Sequence, residues 1–364
     1  MLSFAIYRLP HESSCTLVEQ MEGEPLELIS CAELNGRQGF VLAPFEVTTE
    51  QPILLIRPDR VRRMRYEDVE KMGITDALPM SHPFRTSFSQ SNKASYAIDF
   101  ANFHSQLQQG AFRKIVLARC AAEPSDGRTT PIELFRKACQ CYPRMFISLV
   151  YTTKSGWWLT ATPEILLEGE ANQWRTIALA GTMKLEGDDL RGEGETLRWS
   201  TKNIQEQRMV ATYIAECLEQ FTADFTEEGP YTVRAANLVH LRTDFTFILP
   251  DSNRIGDLLL LLHPTPAVCG LPKRDAFRFI VKNEQSPRRY YSGFMGPLGL
   301  SPGTAQSSHP QTHLFVSLRC MNIMPELYCL YAGGGLLKDS TEEQEWMETE
   351  AKLETMRRLL NCKS

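Results

Sequence analysis

Short apolar runs separated by turn residues dominate the first hundred positions of the chain. The runs that begin at Phe4, Gly39 and Ile53 are each four residues long and are followed within two residues by Arg or Pro, which is typical of strands. The polar stretch 60–95, which contains Pro and Ser, predicts a connection over the surface. Apolar side chains then recur at helical spacing over 96–109, and Gly110 predicts the end of that helix.

Strand and helix patterns alternate through the rest of the chain. We predict helices at 131–141, 200–220 and 340–360, and strands at 114–118, 146–151, 156–161, 165–168, 232–243, 290–298, 314–321 and 327–331, the last closed by Gly333–Gly335. The charged, Gly-rich segment 185–196 has little to bury and predicts a mobile loop. Because strands far outnumber those of a simple βαβ repeat, the pattern predicts an α/β protein of the α+β type with large, mostly antiparallel β-sheets.

Composition narrows the class of protein. The 364 residues suit one large domain or two smaller ones, and 43% apolar with 23% charged residues excludes disordered, collagen-like and coiled-coil chains. A net charge of −5 gives no reason to expect nucleic acid or anionic lipid as a partner. The longest aliphatic run, 258–262, is too short for a membrane span. Ten scattered cysteines without a CxxC pair argue against zinc, and residues 1–10 lack a signal-peptide pattern, so we expect a cytoplasmic protein.

Carboxylates occupy unusual positions on two of the predicted helices. Glu206 shares a helical stripe with apolar residues such as Val210, where a carboxylate is costly unless a cation meets it. Glu345, Glu348 and Lys352 form a ridge beside the core stripe of the last helix. Carboxylates that converge without His or Cys suit a hard ion such as Mg²⁺. The alternative is a solvated ridge with an internal Glu348–Lys352 pair.

Two further side chains are candidates for proton transfer. Lys114 lies in a strand-like segment, and a poorly solvated lysine loses its proton more readily and can act as a base. The alternative is an edge-strand lysine that discourages aggregation. Glu164 lies at the start of an apolar strand, where a raised pKa would make its carboxyl a general acid; the alternative is an ordinary turn carboxylate.

Two segments could bind an anion. Gly333–Gly335 would let backbone N–H groups approach a carboxylate closely, although a plain glycine turn fits equally well. Arg319 is an arginine in an otherwise apolar run, a setting in which its planar fork usually grips a carboxylate. The chain contains neither GxGxxG nor GxxxxGK[ST], so the sequence does not support dinucleotide or P-loop binding.

Ten short motifs occur in one order along the chain. They are KIVLAR (114–119), ATPEILL (161–167), ALAGT (178–182), KNIQEQRMV (202–210), LVHLRT (238–243), HPTPAVCGLP (263–272), YYSGFMGP (290–297), FVSLRC (315–320), YAGGGLLKDS (331–340) and EWMETEAKL (345–353). In these motifs the chain resembles the chorismate-utilising enzymes, which include isochorismate, salicylate, anthranilate and aminodeoxychorismate synthases. HPTPAVCG and AGT are the most specific of the matches.

The resemblance implies a fold and a domain organisation. The fold would be two large, mostly antiparallel sheets packed as a sandwich with helices on the outside. Residues 96–364 would form the chorismate-binding catalytic core. Residues 1–95, where the match is weak, would supply strands and a connection that complete the sheets, giving a single compact domain overall.

The resemblance also implies roles for individual residues. Lys114 would be the general base that activates water, and Glu164 the general acid at the departing hydroxyl. Glu206 and Glu348 would bind Mg²⁺, with Glu345 as an outer partner. The substrate would be contacted by Gly181, Thr182, His240, Ala267, Val268, Tyr291, Arg319, Gly333 and Lys352. The chain departs from the family at Asn203, where relatives often carry an acidic residue.

Ala180 and Lys114 favour water over ammonia as the nucleophile within this family. The resemblance therefore implies an isochorismate synthase, an Mg²⁺-dependent isomerase that adds water at C2 of chorismate and releases the C4 hydroxyl. The alternatives are a salicylate synthase, which also eliminates pyruvate, an aminating synthase component, and a binding protein without turnover. For the isochorismate synthase we expect a monomer that needs no glutaminase subunit.

Overall fold

Two nine-stranded sheets form most of the computed structural model, which describes residues 3–72, 91–184, 198–235, 238–249, 251–301 and 309–361. The strands in these ranges are β1 Ser3–Arg8, β2 Ser14–Gln20, β3 Leu26–Leu28, β4 Gly39–Ala43, β5 Ile53–Ile56, β6 Arg60–Arg65, β7 Lys114–Pro124, β8 Phe146–Thr152, β9 Gly156–Thr162, β10 Ile165–Glu170, β11 Gln173–Lys184, β12 Phe225–Ala235, β13 Leu238–Ile248, β14 Gly270–Leu271, β15 Phe294–Leu298, β16 Gln311–Val316, β17 Cys320–Ile323 and β18 Leu327–Leu336.

Every strand pairing within the described ranges is antiparallel. The first sheet has the order β14-β7-β18-β17-β9-β8-β1-β2-β6, and the second has the order β12-β13-β11-β10-β16-β15-β4-β5-β3. Strands from the first hundred residues therefore belong to the same sheets as later ones. The predicted fold class is confirmed, while the division at residue 95 stays a prediction.

Six α-helices cover the outer faces of the sheets in the described part of the chain. They are α1 Lys93–Gln108, α2 Pro131–Cys141, α3 Thr201–Leu218, α4 Ile255–Leu262, α5 Lys273–Asn283 and α6 Glu342–Asn361. Their starts follow local chemistry: the side chain of Thr130 caps α2 ahead of Pro131, and the side chain of Ser200 caps α3. None of these helices combines the length and apolar character needed to cross a membrane.

The two sheets pack face to face around a shared apolar layer. Phe146 of the first sheet stacks on Phe315 of the second, with ring centroids 4.2 Å apart. Helices α1, α2, α5 and α6 pack on the outer face of the first sheet, while α3 and α4 pack on the second. The molecule is therefore a four-layered sandwich, and any group that reaches the layer between the sheets is shielded from water.

Three strand predictions were wrong in detail. The run 232–243 is a hairpin of β12 and β13 rather than one strand, and it contains no Gly or Pro to mark the break. The run 314–321 is divided between β16 in the second sheet and β17 in the first. Gly333–Gly335 do not close a strand, because they lie inside β18 and pair with Val116, Leu117 and Ala118 of β7.

The connection predicted over 60–95 begins with a strand. β6 pairs with β2 at the edge of the first sheet. Arg60 Nε lies 2.7 Å and Arg62 Nη2 lies 2.9 Å from Oε2 of the Glu19 carboxylate. These ion pairs let a run of arginines form an edge strand that the apolar pattern does not reveal. The loop predicted at 185–196 lies outside the described residues.

Candidate active site

One cavity gathers side chains that are far apart in the sequence. Its walls include eleven of the predicted site residues, namely Glu164, Gly181, Thr182, Glu206, His240, Ala267, Val268, Tyr291, Arg319, Gly333 and Lys352. The other three predicted residues, Lys114, Glu345 and Glu348, lie next to this lining, as their contacts below show. The structure thus brings the complete predicted set together, although the role of each residue stays a prediction.

Lys114 is a fully buried lysine at the start of β7. β7 has β14 on one side and β18 on the other, so Lys114 is not the aggregation-blocking edge lysine of the alternative interpretation. Its Nζ lies 2.9 Å from Oε1 of Glu206 on α3. A Cβ on Gly335 would overlap this carboxylate and come within 2.8 Å of Lys114 Cε. The missing side chain at residue 335 therefore makes room for the ion pair.

Glu206 and Glu164 are two buried carboxyls with opposite pKa shifts. Burial favours the neutral form of Glu206, but the charges of Lys114, Lys202 and Lys352 outweigh it and hold the pKa below its ordinary value. Burial raises the pKa of Glu164 to about 7, although Arg319 and Lys114 oppose the shift. Glu164 can therefore hold a proton near neutral pH while Glu206 is ionised.

Arg319 and His240 form a hydrogen-bonded pair on the cavity wall. Arg319 Nη2 donates to His240 Nε2 at 2.8 Å, so the ring proton is on Nδ1, which lies 3.2 Å from the carbonyl oxygen of Gly181. Burial and the charges of Arg319 and Lys352 lower the pKa of His240 and keep the ring neutral. Arg319 Nη1 is buried and has no hydrogen-bond partner in the described ranges. That free donor suits a carboxylate of a bound molecule.

Carboxylates on α6 approach the same region from the opposite side to α3. Glu345 is fully buried; its Oε1 accepts a hydrogen bond from Lys202, and its Oε2 has no partner among the described residues. Glu348 Oε1 lies 2.7 Å from Lys352 Nζ. A Cβ on Gly334 would lie 3.0 Å from Glu345 Oε2 and 3.8 Å from Glu348 Oε1. The predicted ridge is therefore not solvated at Glu345, whereas the alternative Glu348–Lys352 pair is present.

This carboxylate cluster can be tested for its fit to Mg²⁺. As they stand, no three His, Cys, Asp or Glu side chains in the described ranges form a group that could hold a metal ion, because lysines contact Glu206, Glu345 and Glu348. The donors nevertheless fit: all are carboxylate oxygens, and Glu345 Oε2 is buried without a partner. Burial and the neighbouring Glu348 raise the pKa of Glu345, as expected where carboxylates crowd together without a cation.

Comparison with known proteins identifies the family. Residues 58–361 match the profile of the family described as "chorismate binding enzyme", which is most of the chain. The chain belongs to the chorismate-binding enzymes. Its membership confirms the resemblance found in the motifs.

Relatives of this chorismate-binding enzyme include two curated bacterial proteins. Isochorismate synthase MenF of Escherichia coli strain K12 is 31% identical over 262 residues, which are 70% of this chain and 57% of that protein. The salicylate biosynthesis isochorismate synthase of Pseudomonas aeruginosa is 33% identical over 263 residues, 71% of this chain and 53% of that protein. The matches thus span little more than half the length of these relatives.

A solved structure shows the same fold. MenF, the menaquinone-specific isochorismate synthase of Escherichia coli, superposes with a TM-score of 0.78 at 22% identity, covering 99% of this chain and 89% of that one. The agreement extends over both sheets of this chorismate-binding enzyme.

Lys202 is a site residue that the sequence reasoning did not single out. It lies one helical turn before Glu206 on α3 and contacts Glu345 of α6. The spacing of four residues between Lys202 and Glu206 on one helix could have marked Lys202 as a site residue. The carboxylate that Lys202 contacts, however, belongs to another helix. Spacing along one element cannot reveal such a contact.

Proposed function

We propose that this chorismate-binding enzyme is an isochorismate synthase, an isomerase that converts chorismate to isochorismate with Mg²⁺ as cofactor. The observation that carries the proposal is the pairing of a lysine with a carboxyl that can hold its proton near pH 7. Glu164 lines the cavity, and Lys114 contacts Glu206, which lines the same cavity. Hydroxyl exchange on a ring needs a base for the incoming water and an acid for the leaving hydroxyl.

The two proton-transfer groups divide the reaction between them. Lys114 first releases to solvent the proton that it holds in the ion pair with Glu206, and then takes a proton from water while the water oxygen bonds to C2. Glu164 gives its proton to the C4 hydroxyl, which leaves as water, and the ring double bonds shift. Burial raises the pKa of Glu164 to about 7, so the acid is available at neutral pH. No atom is gained or lost overall, as an isomerisation requires.

Substrate carboxylates would be held by cationic side chains on the cavity wall. Arg319 Nη1 has no partner in the described residues, and Lys352 lines the cavity. Glu206, Glu345 and Glu348 would hold Mg²⁺, which supplies positive charge for the ring carboxylate when bound. These contacts would fix the ring between Lys114 and Glu164.

Ala180 and Lys114 favour water over ammonia as the nucleophile. Ala180 lines the cavity as a small apolar residue, and Lys114 supplies a base that ammonia does not need. The names of the two curated relatives above, isochorismate synthases of Escherichia coli and Pseudomonas aeruginosa, support the same reaction.

Product analysis tests this assignment directly. Purified protein is incubated with chorismate and Mg²⁺, and the products are separated by chromatography. We expect isochorismate as the main product, with none formed in excess chelator. Salicylate with an equivalent of pyruvate would replace the proposal by salicylate synthase, and anthranilate formed with ammonium would replace it by an aminating enzyme.

The cellular setting of the enzyme is part of the proposal. We place it in the cytoplasm as a monomer that works without a glutaminase subunit. The nine cysteines in the described ranges are free, and eight are buried, which is compatible with a reducing compartment. Activity of the purified chain alone, at the elution volume of a monomer, tests the last two points.

A further inference from the structure

Arg288 and Glu284 form a buried ion pair that the proposed reaction does not use. Glu284 directly follows α5, and the side chains of the pair are 3% and 4% exposed. Arg288 Nε lies 2.6 Å from Glu284 Oε2, and Nη2 lies 2.8 Å from Oε1. The guanidinium also lies over the ring of Phe45, 4.3 Å from its centroid. This fork-to-fork geometry fixes both side chains in one arrangement.

Two further hydrogen bonds of the pair go to β7, the strand that carries Lys114. Arg288 Nη2 donates to the carbonyl oxygen of Val116 at 2.8 Å, and Glu284 Oε1 accepts from the backbone N–H of Ala118 at 2.7 Å. β14 pairs with β7 only at Lys114 and Ile115. The ion pair therefore continues the hydrogen bonding of β7 where its neighbouring strand has ended.

The same guanidinium holds the segment of the cavity wall that lies beside β7, where the Val116 N–H donates to the Cys269 carbonyl oxygen. Arg288 Nη1 donates to the carbonyl oxygen of Val268 at 2.6 Å. Val116 and Val268 both line the cavity, and Tyr291, another lining residue, donates its backbone N–H to the Arg288 carbonyl at 2.9 Å. The Arg288 side chain thus joins two segments of the pocket wall, and the backbone carbonyl of Arg288 holds a third.

We propose that Arg288 is a positioning residue for the bound ring: through the carbonyl oxygens of Val116 and Val268 it sets the distance between the base-bearing strand and the pocket loop. This inference deepens the proposed function and rests on it. Arg288 acts through its neighbours and is absent from the cavity lining. An apolar replacement of Arg288 would leave Val116 O and Val268 O without their present donors and the buried Glu284 carboxylate without its cation, which distinguishes this pair from a dispensable buried ion pair.

A matched pair of buried arginines provides the experiment. Arg288→Met and Arg288→Lys are compared with Arg8→Met and Arg8→Lys. Arg8 is 1% exposed and donates to the carbonyl oxygens of Tyr142 and Met145 at 2.6 and 2.9 Å, outside the cavity lining. Both substitutions to Met therefore remove a buried guanidinium that holds backbone carbonyls. Thermal unfolding first sets an assay temperature at which all variants are folded.

Steady-state kinetics with chorismate should separate the two sites. We expect Arg288→Met to raise KM by about tenfold or more, because small displacements of a binding wall carry large costs. Its half-saturating Mg²⁺ concentration should stay within about twofold, since Arg288 contacts neither α3 nor α6. Arg288→Lys should have a KM between those of the wild type and Arg288→Met, because one ammonium group cannot make all the hydrogen bonds of the planar guanidinium. Arg8→Met should lower the unfolding temperature with KM unchanged.

An unchanged KM in folded Arg288→Met would overturn the positioning role. If the Met variant does not fold, the two Lys variants are compared by the same criterion. Amide hydrogen exchange separates failure of this inference from failure of the proposed function, because it needs no turnover. Faster exchange confined to peptides covering 114–118 and 265–269 supports the positioning role even if chorismate is not a substrate. A uniform increase across the chain, as in Arg8→Met, contradicts it.

Discussion

Glu164 and Glu206 show how neighbours decide the chemistry of buried carboxyls. Both line the same cavity, yet the pKa of Glu206 is held below its ordinary value by the lysines around it, whereas burial raises the pKa of Glu164 to about 7. The closest of those lysines, Lys114, contacts Glu206 at 2.9 Å. Two carboxyls with separated pKa values are suited to different tasks, a proton donor and a permanent anion.

Replacing Lys114 tests the base. Lys114→Ala should lower the rate of isochorismate formation by about 100- to 10,000-fold, the usual contribution of a general base. Binding of Mg²⁺ and chorismate should persist, measured by calorimetry. The exposed Lys282→Ala is the matched control and should keep full activity. Loss of chorismate binding in Lys114→Ala would instead make Lys114 a substrate-positioning residue.

The pH dependence tests the acid. Only protonated Glu164 can donate, and its protonated fraction falls as pH rises through a pKa of about 7. The need for a deprotonated base is shared by the wild type and Glu164→Gln, so the ratio of their kcat/KM values isolates the acid. We expect this ratio to decline above about pH 7, by about tenfold for each further pH unit, and Glu164→Gln to lose most of the activity at pH 7. A ratio that stays level to about pH 8.5 would contradict the assignment of Glu164 as the acid.

Side chains that act within one element were within reach of sequence reasoning, and those that act across elements were not. Alternation along a strand pointed to Lys114, and the helical stripe pointed to Glu206. Lys202 and Arg288 were missed because their importance lies in partners elsewhere: Lys202 contacts Glu345 of another helix, and Arg288 contacts Val268 and β7. A single sequence contains no signal for such contacts.

At the scale of elements, the predicted helices have nearly correct bounds, whereas α4 and α5 were not predicted. The helix predicted over 200–220 is found at Thr201–Leu218, since Ser200 provides a local start signal through its hydrogen bond to Asn203 N–H. The strand breaks in 232–243 and 314–321 were missed because neither run contains Gly or Pro and both halves of each run form strands. A strand pattern on both sides of a break does not show that the chain reverses or changes sheet.

The N-caps of α2 and α3 test whether a local loss of helix stability reaches the candidate metal site. Thr130→Ala and Ser200→Ala each remove a capping side chain and should cost about 1 kcal/mol in urea unfolding. Only Ser200→Ala should also raise the half-saturating Mg²⁺ concentration in the activity assay, because α3 carries Glu206. An equal effect of both variants on the Mg²⁺ requirement would show that cap loss acts through general stability.

At the scale of the whole molecule, the candidate metal ligands come from opposite outer layers. Glu206 belongs to α3, which packs on the second sheet, whereas Glu345 and Glu348 belong to α6, which packs on the first. The strand count predicted large antiparallel sheets and the family resemblance implied the sandwich, but only the assembled layers show that the two helices approach one another at Gly334 and Gly335. The site therefore depends on the complete fold.

Binding of Mg²⁺ should consequently stabilise the whole molecule. At about 100 times its dissociation constant, a ligand specific for the folded state adds about 2.7 kcal/mol, so the unfolding temperature should rise with Mg²⁺. Glu348→Gln should abolish most of this rise and increase the Mg²⁺ needed for activity. Glu343→Gln, also on α6 but exposed and paired with Lys93, is the control and should retain the rise.

Gly334 and Gly335 limit how this catalyst could be redesigned. A methyl group at Gly335 would displace the Glu206 carboxylate and crowd Lys114, and one at Gly334 would lie 3.0 Å from Glu345 Oε2, so substitutions at either position should lower activity, most strongly at Gly335. New specificity has to be sought on the opposite wall, at Ala267, Val268 and Leu318, where a larger or smaller side chain alters the shape of the chamber and leaves its charges in place. The chamber thus has one fixed wall and one that can be varied.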